Sequence, residues 1–410
     1  MKALLIKEEF EYLDKEMKQL FLKYFHKNIE DSADGWVGSS GHYIGDFQED
    51  HYVSIDKITL SLPEGVNVSV EFTTNFIKGN PLGVEVFADL NETDWNLLIQ
   101  FLNKAVSKSL AMLLVQKKEK YFFRACFAYM GPPLDGAYYI TNFRISPATR
   151  EGGFFGENYI YLDMDIEAID YENALTKSKA FGKEVTAILS VILNTGFYVP
   201  EYDDRWVLLS DKEHGRFQLG FHDKEPSPNS MPAKDRKKAG GFSENPVDYL
   251  SNIKKTLCLP RSIRKLFKAY YNLPADEQAA FLSASRMYHI SLTAGRMSTT
   301  VRASYQLAAL DALSKPYREK NLNKNAIMKL TDRYYSQGEG NKIGELYDSI
   351  RNAHFHQGYF DEIELNGFEV RPFSEAKWLK KEIDYLFKTE AVFFVLNNWL
   401  SEKISSEVHM

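Results

Sequence analysis

The chain has 410 residues, 44% of them apolar and 14% aromatic, and a formal net charge of −6. That length and apolar content support two or three domains with true cores, and the acidic balance excludes a simple non-specific nucleic-acid coat while leaving room for a local basic surface. The only cysteines, Cys126 and Cys258, lie far apart and outside any CxxC or CxxxH pattern, so neither a disulfide framework nor a thiolate zinc site is expected, and a reducing compartment fits best.

The chain begins Met-Lys-Ala-Leu-Leu-Ile-Lys-Glu-Glu, reaching charge after four apolar residues. That is too short for a signal peptide, and no later run approaches the roughly 18 apolar residues of a membrane helix. A soluble cytoplasmic protein, without membrane contact, is the expectation. Phe10, Leu13, Met17, Leu20, Phe21 and Tyr24 repeat at helical spacing, which predicts an opening amphipathic helix over 6–27. The glycine-spotted stretch 35–45 has no Gly-Lys-Ser/Thr leading into a helix, so it reads as a loop and edge strand and not a phosphate loop.

Period-two alternation in 52–60, 66–72 and 84–88, bounded by Pro63-Glu-Gly65 and Gly79-Asn-Pro81, predicts strands joined by tight turns. Asn91-Glu-Thr-Asp94 offers caps for a helix over 94–116, with Leu98, Leu102, Val106 and Leu113 among its inner positions. Strands are predicted at 120–129, 137–146, 157–166 and 206–209, and a second long helix at 171–195. Strand runs interrupted by two long helices indicate an α+β domain over 1–221. Residues 222–246 are polar and proline-bearing, and read as a linker or mobile loop.

Residues 247–410 read as a separate all-helical domain, with helices near 247–257, 261–271, 276–293, 300–314, 323–336, 343–355 and 374–403 and a turn at Asn366-Gly367. Over 251–330 there are 14 basic residues and 4 acidic ones, a balance of +10 inside an acidic protein. Such a surface suits a polyanion, equally well a set of solvated helix faces. Arg261, Arg264, Lys265 and Arg302 are the candidate RNA contacts.

Glu345-Leu-Tyr-Asp-Ser-Ile-Arg-Asn-Ala-His-Phe-His-Gln-Gly358 carries the candidate chemistry. Leu346, Ile350 and Ala353 fall at helical spacing and Gly358 ends the helix, so Arg351, Asn352, His354 and His356 crowd onto its last turns. A guanidinium can hold a phosphate bidentately, and an imidazole can move a proton near neutral pH. Bland alternatives stand beside this: Arg351 paired with Asp348 or Glu345 on its own helix, and His356 as a cation favoured by the helix C-terminus.

Arg351-Asn352-x3-His356, late in a helical domain and some 40 residues after Leu307-Ala-Ala-Leu-Asp-Ala-Leu313, resembles the HEPN superfamily, particularly its ApeA-like branch. The resemblance covers about 250–405. It departs in having Asp311 where Glu is more usual, and Gln357 between the histidine and the glycine. It implies a helical bundle acting as a metal-independent, cofactor-free endoribonuclease, with one composite site between two protomers of a homodimer. His356 would be the general acid or base, Arg351 would stabilise charge on the phosphorane, and Asn352 would position the phosphate; His354 and Asp311 are alternative or supporting members. Because the ribose 2′-OH is the nucleophile, RNA (tRNA among the possibilities) and not DNA would be cut. Prokaryotic anti-phage defence or toxin action is the implied setting, with a phage or protein trigger sensed by residues 1–221. A non-catalytic nucleic-acid-binding or dimerisation module, acting as a regulatory adaptor, is the alternative.

Elsewhere, Asp163, Asp165 and Glu167 read as the solvated face of a strand and not as metal ligands. Tyr202-Asp-Asp-Arg205 reads as a turn, and His214 with His222 lacks a third ligand. The aromatic run 121–129 reads as a buried strand, and His289 as a core or surface histidine.

Overall fold

The structure, a computed structural model, describes residues 3–9, 12–30, 33–44, 51–62, 66–88, 92–115, 117–148, 157–199, 203–208, 214–219, 228–244, 256–318, 323–358 and 376–406. The fold is α+β, with antiparallel sheets preceding a helical C-terminal region. Two compact units divide it, Met1–Lys118 and Glu119–Met410.

In the first unit five antiparallel strands run in the order β1-β5-β4-β3-β2: β1 Ala3–Glu9, β2 Ala33–Tyr43, β3 His51–Leu62, β4 Val66–Ile77 and β5 Asn80–Ala88. The opening residues are therefore a strand and not the start of a helix. β1 pairs with β5 from Ala3↔Ala88 to Glu9↔Gly83, and helix α1, Lys15–Glu30, begins where Asp14 Oδ1 accepts from the Met17 amide at 2.9 Å, as capping aspartates do. The glycine-spotted stretch forms edge strand β2. Helix α2, Glu92–Val115, joins α1 on one sheet face. Phe21, Phe25, Val70, Phe72, Val86, Leu98 and Leu102 are among the residues of that core, and Asn28 Nδ2 reaches Ser109 Oγ across the helix pair at 2.9 Å. Contrary to the hydropathy expectation, α2 contains a span, Trp95–Leu114, long and apolar enough to cross a bilayer by length and composition. Its pattern is amphipathic: Leu98, Leu102, Ala105 and Val106 are buried while Asn96, Gln100, Asn103, Lys104 and Lys108 are exposed, as for a helix lying on a sheet.

The second unit holds the sheet β6-β9-β8-β7, made of β6 Glu119–Met130, β7 Tyr138–Ile140, β8 Phe143–Pro147 and β9 Glu157–Ala168. The strand expected over 137–146 is a hairpin, broken at Thr141, whose φ is +34°. One sheet face carries Ile145, Ile160, Leu162 and Met164 into a core shared with helix α3, Tyr171–Leu193, and with the helices α4 Ile263–Tyr271, α5 Ala275–Thr293, α6 Thr299–Ser314, α7 Asn323–Tyr334 and α10 Ala376–Ser406. Phe143 meets Phe267 of α4 edge-on at 5.0 Å, and Asn397 of α10 donates to Val191 O of α3 at 3.0 Å. Sheet and helices thus bury one continuous core, so the compact units part at 118/119 and not at the polar segment.

That segment is tied down where it is described. Tyr139 Oη donates to Pro232 O and Ala233 O at 2.9 and 2.7 Å, Ala137 N donates to Lys238 O at 2.7 Å, and the short strands β12 Phe242–Ser243 and β13 Leu259–Pro260 pair in parallel. It is a strap and not a free linker. The expected helix 247–257 lies outside the described residues up to 255, and Leu257 forms a parallel bridge to Leu134. Asp203–Arg205, expected in a turn, opens strand β10, Asp203–Leu208, which pairs with β11, His214–Leu219; Tyr202, His222 and Asn366-Gly367 lie outside the described residues.

Candidate active site on a π-helical turn

Helix α8, Gly340–Leu346, runs through a π-helical turn, Tyr347–Asn352, into α9, Ala353–Gln357. Gly358 ends it at φ +65°, its amide donating to His354 O at 3.0 Å, as the sequence led one to expect. The widened turn was not foreseen. Ser349 Oγ donates to Glu345 O at 2.9 Å, the carbonyl its own amide would use in an α-helix, and such competition loosens helical geometry. Single π turns of this kind gather at functional sites.

Arg351 stands on that turn. Its Nη1 donates to Asn352 Oδ1 at 2.9 Å, its Nη2 lies 3.5 Å from Asp311 Oδ2 of α6, and its Cζ sits 5.2 and 5.5 Å from the Tyr347 and Phe355 ring centroids. Its Nε is buried with no hydrogen-bond partner among the described residues. Asp311 also accepts from Arg318 Nη2 at 2.6 Å. Burial, then the Asp311 charge, pushes the Tyr347 phenol up from its ordinary pKa. Asn352 Nδ2 donates to Asp348 at 3.3 Å, and Asp348 pairs with Lys324 of α7. The chain Arg318–Asp311–Arg351–Asn352–Asp348–Lys324 therefore links α6, the π turn and α7. Among the described residues the carboxylate beside Arg351 is Asp311 of a different helix, and not Asp348 or Glu345 of its own.

The two imidazoles differ. Five residues at about 100° each turn His356 some 140° from Arg351, whereas His354 and Phe355 fall within about 60° and 40°. The Arg351–Phe355 contact agrees with this. His354 is half-buried with its ring against Phe355 at 5.2 Å, Phe355 meets Tyr305 of α6 edge-on at 5.4 Å, and His356 is exposed. Among the described residues no hydrogen bond joins Arg351 to His356. The chain thus brings Arg351, Asn352 and Asp311 together and leaves His356 exposed on the same segment.

The four suggested RNA contacts are not one cluster. Arg261, Arg264 and Lys265 are exposed at α4, where Arg264 Nε donates to Tyr139 O at 2.8 Å and Arg261 pairs with Glu244 at 3.1 Å. Arg302, on α6, belongs beside α10, where burial first and then the Arg302 charge hold the Lys388 ammonium well below its ordinary pKa.

Asp165 and Glu167 are exposed, as expected of a solvated strand face, but Asp163 is not. Its side chain is 0% exposed and takes Arg124 Nε at 2.6 Å and Arg144 Nη1 at 2.6 Å. Its neighbours on β6 and β8 supply both arginines. Among the described residues no group of three or more His, Cys, Asp or Glu is placed to hold a metal ion. Tyr347 escaped the sequence reading although its i, i+4 spacing to Arg351 signals contact; Lys388, inside an apolar run, gave no local signal of being buried.

Comparison with family models, with curated proteins and with solved structures finds no match for this chain.

Proposed function

We propose that the chain is a metal-independent endoribonuclease of the HEPN type, acting as a homodimer. What supports the reading most is the guanidinium of Arg351, fixed by Asp311, Asn352 and two aromatic rings on a π turn whose continuation carries His354 and His356. Rigid placement is what a group stabilising a phosphorane needs. His356, exposed and turned away from its own Arg351, suits a site completed by a second protomer. In the reaction the ribose 2′-oxygen attacks phosphorus and loses its proton to an imidazole. The 5′-oxygen leaves with a proton, so the products are a 2′,3′-cyclic phosphate and a 5′-hydroxyl. Arg351 takes the equatorial charge and Asn352 orients the phosphate. A sensing role for the N-terminal region, with a phage or protein trigger in an anti-phage or toxin setting, completes the proposal by family analogy alone.

One observation favours the alternative, a non-catalytic module: Asp311 already occupies one edge of the Arg351 guanidinium. The test is incubation of the purified protein with tRNA and mixed RNA in EDTA, beside Arg351→Ala, His356→Ala and His354→Ala. Fragments with cyclic-phosphate ends, lost in the first two variants and retained in the third, are expected. Loss with His354→Ala alone would move the proton transfer to that residue, and cleavage indifferent to all three would end the proposal.

A further inference from the structure

The strap and α4 meet on one strand. Ala137 N donates to Lys238 O at 2.7 Å and Gly240 N to Ala137 O at 3.2 Å, which holds the strap along β7. From the other direction Arg264 of α4 donates to Tyr139 O, while the Tyr139 hydroxyl reaches Pro232 and Ala233 and its ring lies 5.8 Å from Lys234 Nζ. The basic turn and the basic helix thus both reach the same residue, Tyr139. Two glycines make the approach possible. A Cβ on Gly136, whose φ is +75°, would meet Gly240 Cα at 2.6 Å, and one on Gly240 would meet Asp135 O at 2.2 Å.

The result is a surface invisible in either segment alone. The turn exposes Lys234, Arg236, Lys237 and Lys238; the helix and its approach expose Arg261, Arg264, Lys265 and Lys268. Against these eight cations, the described residues of 133–140, 228–244 and 256–271 expose three carboxylates. Asp235 accepts from the Lys237 amide at 2.9 Å, Glu244 pairs with Arg261 at 3.1 Å, and Asp135 accepts from Cys258 Sγ at 3.9 Å. At the edge Phe242 packs its ring on Tyr138 at 5.4 Å yet remains 42% exposed, so a π face is presented beside the charge.

We propose that this surface, formed by the Lys234–Lys238 turn, Phe242 and the exposed side of α4, binds single-stranded RNA. Lysines and arginines on two converging backbones track phosphates, and an exposed aromatic ring at their edge stacks a base irrespective of its identity. A membrane surface would call for several exposed apolar anchors, and among the described residues of these segments Phe242 is the one exposed large apolar side chain. The choice of RNA rests on the ribonuclease reading; the binding does not require cleavage.

The experiment is fluorescence anisotropy of a labelled single-stranded RNA with the full chain in EDTA, in a His356→Ala background, across a salt series. Lys237→Glu with Lys238→Glu in the turn, and Lys265→Glu in α4, each weaken binding several-fold and flatten the dependence of log K on log salt by about 0.7 for each phosphate of a single strand no longer neutralised. Phe242→Ala weakens it by about 5-fold or more, as removal of a stacking platform should. Reversal in either segment that leaves both affinity and salt slope unchanged overturns the proposal, as does tighter binding to duplex DNA or to anionic vesicles. The parent chain, with His356 intact, separates the two readings: binding that obeys these expectations while the parent cuts no RNA counts against the nuclease reading and leaves the surface standing, whereas cleavage by the parent that is lost in His356→Ala, with the reversals silent, does the opposite.

Discussion

Arg351 of the π turn and Asp311 of α6 stand 3.5 Å apart, and Asp311 at the same time holds Arg318 at 2.6 Å. One carboxylate thus serves two guanidiniums that are each 23% exposed on their side chains. Removing it leaves two like charges close together and partly desolvated. Asp311→Ala is expected to lower unfolding stability by about 1–3 kcal/mol, discounted from the cost of breaking a fully buried pair. Urea titration measures it. Arg351→Met added to Asp311→Ala recovers part of that loss, because the unpaired charge is gone; strict additivity in the double-mutant cycle would mean the two side chains do not interact.

A second carboxylate carries more. Asp163 is fully buried between Arg124 and Arg144, with Arg124 bidentate at 2.6 and 3.0 Å. Asp163→Ala strands two buried cations and is expected to destabilise the second unit by about 3–5 kcal/mol. Replacing all three by apolar residues of similar volume should cost far less than the single change. A single variant as stable as the parent in denaturant would contradict the arrangement.

His289 gives a pH signature. Its Nδ1 lies 2.9 Å from Ser190 Oγ, whose own proton goes to Thr186 O at 2.8 Å. Burial pulls this imidazole from 6.5 down to about 4. The folded-state pKa is the depressed one, so the unfolded chain binds the proton first. Stability is full above about pH 6.5 and falls as the pH drops toward 4, by an amount reaching about 3 kcal/mol. Comparing unfolding at pH 7 and pH 4.5 with that of His289→Gln isolates it, since the variant should lack this component.

The strap should come loose on adding one methyl group. In Gly240→Ala the new carbon would meet Asp135 O and Tyr138 Cζ at 2.2 Å each, a backbone atom and a ring fixed by its hydroxyl's bond to Gly241 O. The overpacking should cost about 1–3 kcal/mol. Trypsin, which needs an extended accessible chain, should then cut at Lys234–Lys238 much faster than in the parent. An unchanged cleavage rate would show that the strap is held by other contacts.

The α+β class, the hairpin strands β3 to β5, the long helices α2 and α3 and the helical C-terminal half could all be read from the chain itself. Each depends on a repeat of two or 3.6 residues and on local stop signals such as Gly358, which act within a few neighbours. The gathering of Arg351 and Asn352 on one helical segment was legible for the same reason. What failed was long-range. β1 is a strand because β5 pairs with it, Asp163 is buried because arginines arrive from two other strands, and the described part of the polar segment, 228–244, becomes a strap because Ala137 and Tyr139 hydrogen-bond to it. Asp311 meets Arg351, and Lys234 and Arg264 both reach Tyr139, only across elements. Local periodicity determines which residues share a face; partners from distant segments decide whether a charge on that face is solvated, paired or assembled with others into a surface, and only the tertiary structure supplies those partners.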